Sequence, residues 1–547
     1  MTITEERAIN TTQQWPHALF YLFFGLCSAG LMLYYLSNTV IHFTTPQQFP
    51  INSFQRFPLT ILIFPIELFS FAFGTYFVYL LISSSLKKQQ QPKPLPKWKR
   101  GKVALLLPVY NEPTHIVQRT LDACRAVEWE EGVATYLLDD STDENHKRAM
   151  EALAKRYGAK LVRRQDRAGY KAGNINNAIA TAVTEPYFAI FDSDQAPLKN
   201  FLRETMDYFS DPSVGFVQTP QYYINDQTPL ERAAKIGTNV FFQAQCVGKA
   251  SDGAMPFCGT NAVVKTEAFK GVQGFAYYTA TEDIDLGIRM NQSGYFGAYV
   301  PKILVKGYAP PDFVAYSSQQ YRWANGNLAI LREHWLKILL GDFTLRYQIN
   351  TLFTLGWWLT GIVTLGYVIV PILSVILGLG THHAWLPTAL IVLLYVNVLM
   401  GISMVYVALH GRTAEKVRIT DALLQYSLIT NSMFIYAKAA INALFKRYVG
   451  FVRTNKTGSA SGWQHIKPNL ALGTLCFLAS IYGLFRWAQA YDFQQVRTYL
   501  PVSVWLLFYS VVLLSSILFV GGAAPMKNAK PLPRTRALQA TPEASHA

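Results

Sequence analysis

Gln319-Gln320-Tyr321-Arg322-Trp323 sets two amides, a phenol, a guanidinium and an indole in five consecutive positions. Buried cores avoid so much polarity, and soluble surfaces rarely carry the indole. The set suits a ligand with an anionic group for the arginine and a flat face for the ring. Other chemistry-bearing residues precede it. Asp139 and Asp140 close one apolar run, and Asp192-Ser193-Asp194 closes another. Open parallel sheets bind ligands at the carboxyl ends of their strands, so acids there bear on chemistry. Two carboxylates at i and i+2 can share Mg²⁺ or Mn²⁺ with substrate phosphates. An aspartate-rich turn fits that tripeptide equally well when it stands alone. Glu282, Asp283 and Asp285 crowd ahead of a helical stretch. Crowded acids raise one another's pKa, which tunes a carboxylate toward general-base work. Acids that complement a helix N-terminus make the same pattern. Lys171, in Tyr-Lys-Ala-Gly-Asn, opens another helical stretch, where a diphosphate is favoured and where an ordinary first turn also fits.

The segments around these residues must position them. Residues 102–108, 134–140, 159–164, 187–194 and 214–219 read as strands, several of them continuous apolar runs of the buried parallel kind. Helical stretches at 114–126, 143–157 and 171–183 alternate with them. That alternation predicts βαβ units and a mostly parallel sheet. The span 101–345 is long enough to bury its own core.

Outside that span the composition changes. The 547-residue chain is 51% hydrophobic and 15% charged, against about 25% charged for soluble proteins. Apolar runs at 17–43, 58–84, 351–379, 385–409, 470–487 and 502–520 approach bilayer-crossing length and predict six spans. Glu67, inside the second, is expected to pair with another helix. The stretch 421–445, broken by Asn431, Lys438 and Asn442, predicts one amphipathic helix at the interface. The net charge is +15, and basic residues gather in a Pro-rich linker at 87–100, at 410–418, at 446–467 and in the tail 524–547. By the positive-inside rule the domain and both termini are cytoplasmic in a multi-pass inner or plasma membrane protein, with the linker against anionic lipid headgroups. The pooled apolar runs make membrane, not nucleic acid, the reason for the basic charge. Five cysteines form no CxxC pair, which leaves zinc and dithiol chemistry without support. The acidic start does not match a cleaved signal peptide, so the first run is expected to remain as an anchor.

Taken in order, Asp139/Asp140, Asp192/Asp194, Thr281-Glu282-Asp283 and Gln319/Arg322/Trp323 resemble the motif series of the processive, membrane-embedded family 2 glycosyltransferases. That superfamily includes cellulose, curdlan, hyaluronan and chitin synthases. Pro108-Val109-Tyr110-Asn111-Glu112 resembles its first strand-end motif, and Phe257-Cys258-Gly259-Thr260 its acceptor-side motif. The resemblance implies a glycosyltransferase A-type, Rossmann-like α/β domain inserted between transmembrane helices. It also implies roles. Tyr110, Glu112, Asp139 and Asp140 would bind the nucleoside. Asp192 and Asp194 would hold UDP and Mg²⁺ or Mn²⁺, and Lys171 would touch the sugar diphosphate. Cys258 would lie at the acceptor. Asp283, beside Glu282, would be the general base. Arg322 with Gln319 would neutralise the leaving diphosphate, and Trp323 would stack under the acceptor's terminal sugar.

Phe451 to Lys456 resembles the gating loop of cellulose synthase, with Thr454 and Lys456 placed to contact diphosphate. Arg453 stands where that loop has valine, a departure that sets the chain apart from cellulose synthases proper. No RxxxR pair follows the last span, so regulation through a cyclic-di-GMP domain is not expected. The expected activity is inverting transfer from a UDP-sugar, UDP-glucose first, onto a growing polysaccharide that leaves through the chain's own channel. The product would be a β-1,4 or β-1,3 glucan, and an accessory secretion subunit is compatible with that reading. Trp357, Trp358, Tyr367, Tyr426 and Asn431 are candidate channel residues by type. An amino-sugar polymer of the chitin or hyaluronan kind, or transfer to a lipid acceptor, are the alternatives.

Overall fold

In β1 (Val103–Val109) every residue but Pro108 is fully buried, and alternate side chains go to opposite faces. Ala104 and Leu106 join the apolar cluster on one face, and Val103, Leu105, Leu107 and Val109 that on the other. A strand covered on both faces is central. In the computed structural model β1 is flanked by β2 (Val133–Asp139) and β4 (Tyr187–Ile190), both parallel to it. The structure describes parts of residues 19–37 together with 53–86, 100–378, 417–446, 462–490 and 493–521.

Helices α2 (Thr114–Arg125), α3 (Glu144–Tyr157) and α4 (Tyr170–Thr181) make the crossovers, and β3 (Lys160–Val162) is the edge beside β2. The chain then continues through β5 (Val214–Gln218), α5 (Pro229–Val240), β6 (Ala262–Lys265), α6 (Glu282–Gln292) and β7 (Phe296–Tyr299). The seven strands run in the order β3-β2-β1-β4-β6-β5-β7. The sheet is mostly parallel, as expected, with one exception: β6 runs antiparallel to its neighbours β4 and β5, while β7 pairs parallel with β5. β6 and β7 are four-residue strands too short to show a period in sequence, which hid them. Local signals set the helix starts. Asp143 caps α3 by accepting from the amides of Asn145 and His146, and Thr228 and Glu231 form a capping box on α5 with Pro229 at its first position.

α1 (Ser53–Leu86) precedes the domain, and α7 (Phe313–Leu340), α8 (Leu345–Gly356), α9 (Thr360–Leu377), α10 (Ile419–Asn431), α11 (Met433–Leu444), α12 (Trp463–Ala488) and α13 (Phe493–Leu514) follow it. Among the described residues four helical segments are long and apolar enough to cross a membrane: Leu62–Leu86, Leu345–Leu377, Trp463–Ala488 and Tyr499–Phe519. The one interface helix expected over 421–445 is two helices, α10 and α11, separated at Ser432. The expected span 385–409 and the basic linker and tail fall outside the described residues, as do Thr454 and Lys456 of the gating-type loop.

A partly buried polar knot, with the Asn350–Asp252 bond at its buried centre, ties the domain to the helices. Tyr79 Oη and Asn350 Nδ2 both donate to Asp252 Oδ2, at 2.8 and 3.0 Å, and Tyr76 Oη donates to Asn350 Oδ1 at 2.8 Å. Removing one member of a buried network strands its partners, at a cost of about 1–3 kcal/mol per unsatisfied group. Asp252→Ala should therefore lower the unfolding midpoint of the protein in detergent by several degrees. An unchanged midpoint would mean that the knot does not hold the two parts together.

Candidate functional site

The pattern that opens the sequence analysis resolves on α7. Gln319, Arg322 and Trp323 are spaced i, i+3, i+4 and share one helix face, and all three line a cleft of about 330 Å³. Gln320 and Tyr321 turn away and are held by α11. Tyr436 Oη donates to Gln320 Oε1 at 3.0 Å, and Asn442 Nδ2 donates to the Tyr321 hydroxyl at 2.6 Å. Two residues therefore fix the helix and three face the cleft. Asp312 caps α7 through the Ala315 amide.

The carboxyl ends of β1, β2 and β4 supply the other walls. Tyr110, Glu112, Asp140, Lys171, Asp192, Asp194, Cys258, Glu282 and Asp283 all line the same cleft. Eleven of the predicted positions thus converge once Gln319 and Arg322 are added, and Trp323 makes the twelfth. Asp139 does not. Its carboxylate, with no exposed surface, accepts from the Ser141 amide and pairs with Arg163 at 2.7 Å, so it fastens the end of β2. Asp140 lines the cleft while Arg164 grips both its oxygens, at 2.9 and 2.7 Å.

Charge is arranged tightly. Lys171 Nζ donates to Asp192 Oδ1 at 2.5 Å and to the Gly259 carbonyl at 3.0 Å. The Asp283 carboxylate accepts from the Ile284 amide at 2.9 Å. Burial, and next the charge of Asp283, pushes Glu282 up to about 7. Burial raises Asp283 as well, against the pull of Lys171 and Arg322. Burial draws Arg322 down, while the surrounding acids Glu282, Asp192 and Asp283 oppose it. Burial lifts the Cys258 thiol far above its ordinary range, which leaves it an unreactive wall. Among the described residues no three acids, histidines or cysteines cluster as metal ligands. Asp192 and Asp194, on one turn at the end of β4, are among the carboxylates that offer hard oxygen donors at the cleft.

Close approach is enforced at two glycines. A Cβ on Gly259 (φ +73°) would stand 2.8 Å from Asp283 Oδ2, and one on Gly326 would stand 2.6 Å from Thr281 Oγ1. The first contact seats the Asp283 carboxylate. The second lets α7 lie against the turn that carries Glu282 and Asp283.

A second cavity of about 260 Å³ shares Gln221, Tyr223, Cys258, Thr281, Asp283, Gln319 and Trp323 with the first. It continues between helices, past Phe73, Tyr76, Phe353, Trp357 and Trp358. Of the candidate channel residues, Trp357 and Trp358 line it. Tyr367 and Asn431 instead serve the bundle: Tyr367 Oη donates to Ser70 Oγ, and Asn431 Nδ2 donates to the Val512 carbonyl. Tyr426 sits against Phe508. Sequence reading missed Tyr223, Tyr308 and Arg119. Tyr223 lies where both cavities meet. Arg119 donates to the carbonyls of Asp194 and Lys306 beneath the Tyr308 ring, steadying the Asp192–Asp194 turn. None of the three stands in a motif.

Residues 187–404 match the glycosyl transferase family group 2. A putative cellulose synthase 2 of Komagataeibacter xylinus is 26% identical over 454 residues, 80% of this chain and 29% of that protein. The UDP-forming cellulose synthase catalytic subunit of Xanthomonas axonopodis pv. citri (strain 306) is 33% identical over 253 residues, 44% of this chain and 34% of that protein. The chain thus spans about a third of the length of the curated relatives it matches. A mannosyltransferase from Pyrobaculum calidifontis, solved with GDP-Man and Mn²⁺, superposes with a TM-score of 0.51 at 17% identity, covering 71% of this chain and all of that one, and so shares its fold.

Two outcomes follow from this geometry. Gly259→Ala pushes the Asp283 carboxylate aside, and in any reaction that uses this carboxylate a misplacement of that kind would cost about a hundredfold in rate. Thermal melts should show the variant still folded, whereas an unchanged rate would mean the close contact is immaterial. The second concerns pH. Glu282 moves from an ordinary 4.5 to about 7, so across that window the folded chain holds more proton than the unfolded one. Its stability therefore falls as pH rises through the window. Melts at pH 5 and pH 8 should show a larger drop for the native chain than for Glu282→Gln, and equal drops would refute the burial of that charge.

Proposed function

From the premise that this chain carries a family 2 glycosyltransferase domain on a membrane-helix frame, we propose that it is an inverting, processive β-glycosyltransferase. It would extend a glucan from UDP-glucose and pass the product between its own helices. One observation carries the reading: the polar cleft and the aromatic passage meet at Asp283, Cys258, Gln319 and Trp323, which line both. The choice of UDP-glucose rests on the cellulose synthase relatives.

In this reading Tyr110, Glu112 and Asp140 receive the nucleoside at the carboxyl ends of β1 and β2. The sugar then points toward Asp283. Asp192 and Asp194 fit a divalent cation that draws its remaining ligands from diphosphate and water, as Mg²⁺ and Mn²⁺ do. When bound, that cation supplies positive charge at the diphosphate. Lys171 and Arg322 add theirs, aimed at the charge that develops as UDP departs. Asp283 takes the proton of an acceptor hydroxyl. That oxygen bonds the anomeric carbon from the face opposite UDP, and the bond to the diphosphate breaks in the same step. Trp323 offers its ring to the acceptor sugar, and Trp357 and Trp358 continue an aromatic path. Glu282, ionising near 7, sits beside the base and tunes its field.

The same reading makes this a multi-pass protein whose domain, 101–345, would lie between membrane regions 1–86 and 346–523; the four apolar helical segments among the described residues support it. Cytoplasmic termini, the part of Thr454 and Lys456, and an accessory secretion subunit belong to the same proposal.

The test is synthesis by the purified chain in lipid with Mg²⁺ or Mn²⁺, from a panel of labelled nucleotide sugars, with Asp283→Asn beside it. High-molecular-weight product from UDP-glucose is expected, with a loss of more than about a thousandfold in the variant, the scale for losing an essential base. Linkage-specific glycanases then separate β-1,4 from β-1,3. Polymer from an N-acetylated donor alone would move the reading to an amino-sugar synthase. UDP release without polymer would mean a lipid or other small acceptor.

A further inference from the structure

The segment between β3 and α4 carries three arginines, and the structure treats them differently. Arg163 pairs with Asp139 and Glu151 and donates to the Lys147 carbonyl. Arg164 grips Asp140 and donates to the carbonyls of Ala168 and Tyr170, at 2.6 and 2.7 Å, which closes the segment into a tight strap. Arg163 thus holds the strap to β2 and α3, and Arg164 holds it to β2 and the start of α4. The third is not so engaged. No hydrogen bond or ion pair joins the Arg167 guanidinium to any described residue, and its Nε is buried with no partner. Arg167 lines the cleft, and its guanidinium carbon lies 3.8 Å from the centre of the Tyr110 ring.

A cation so placed has a stacking partner and unspent donors. Cation–π contact compensates part of its desolvation, but a buried donor without an acceptor costs free energy. A ligand that enters beside Tyr110 can relieve that cost. At 3.8 Å there is no room for a ring between the two planes. The pinned strap leaves the side chain free to lift while its backbone stays. Resting on the nucleotide reading above, we propose that Arg167 is a nucleobase clamp. It covers the Tyr110 face while the cleft is empty, rises by about one ring thickness when a nucleotide enters, and closes the base between guanidinium and phenol. Stacking holds the base from both sides, and the freed donors reach the base's carbonyl oxygens. Arg167 is then a donor-binding residue with no part in proton transfer.

The experiment is binding to the full chain in detergent or nanodiscs, measured by calorimetry for UDP, UMP and inorganic pyrophosphate. Arg167→Ala should weaken UDP and UMP alike, by about tenfold, the scale of one lost stacking face. Pyrophosphate should bind as before. Arg167→Lys keeps the charge and loses the plane, so it should not restore affinity. Because the side chain ties nothing else down, both variants should melt as the native chain does. Unchanged UDP affinity in both variants overturns the clamp. So does a parallel loss for pyrophosphate, or rescue by lysine, since either makes Arg167 a phosphate ligand. Failure of the native chain to bind any nucleotide would instead remove the reading on which the clamp rests.

Discussion

Glu282 and Asp283 are neighbouring carboxylates, Asp192 faces the same cleft, and like charges brought out of water repel strongly. The cleft holds together because two cations from remote parts of the chain reach into it. Lys171 comes from α4, which packs on the sheet, and Arg322 from α7, which packs on the membrane-side helices. Two unit charges about 4 Å apart interact by roughly 4 kcal/mol at the effective dielectric of a protein surface. Either cation alone leaves acids uncompensated, so docking of α7 and assembly of the acid cluster are one event. This explains the tolerances on that docking. Gly326 meets Thr281 with no room for a methyl group, and Gly259 meets Asp283 in the same way.

Much of this was legible in the sequence because strand-end acids obey topology. Asp140, Asp192 and Asp194 follow apolar runs that must be buried strands, and a sheet delivers its carboxyl ends to one edge. The i, i+3, i+4 spacing of Gln319, Arg322 and Trp323 was equally readable, since helix geometry alone groups those three. Asp139 shows where such reading stops. Adjacent strand residues point to opposite faces, so only one of Asp139 and Asp140 can face the cleft, and nothing local says which. The one antiparallel strand, β6, was hidden because it is too short for a period, as is β7. The break at Ser432 was hidden because hydropathy stays high across it. Tyr223, Tyr308, Arg119 and Arg167 owe their positions to the tertiary fold, and a lone tyrosine or arginine carries no sequence sign of its neighbours.

The two cavities impose a further condition. In the proposed transfer a donor that reacted with water as readily as with a sugar hydroxyl would be wasted, so the acceptor would have to fill the space beside Asp283. The passage through Tyr223, Cys258 and Trp323 does this with side chains that offer surface more than charge. The buried Cys258 thiol and the Tyr223 phenol, pushed up to about 12 by burial, both stay protonated there. Among the described residues that leaves Asp283 as the carboxylate lining both cavities, with Glu282 beside it in the cleft.

Rigidity between domain and helices then becomes part of the chemistry. In the proposed transfer Trp323 and the helices beyond it would hold the acceptor, and the strand ends of the sheet would hold the donor. If the two halves rocked against each other, the attacking oxygen would lose the alignment that makes intramolecular reactions fast. The Tyr76, Tyr79, Asp252 and Asn350 knot opposes that motion with buried and partly buried hydrogen bonds. The grip of α11 on Gln320 and Tyr321 opposes it with two more. Polar contacts suit this task better than apolar ones. An apolar interface can slide at little cost, whereas a buried hydrogen bond loses its energy within a fraction of an ångström. The residues of Gln319–Trp323 that face away from the cleft therefore matter to transfer as positioning groups, through the alignment they impose on the three that face it.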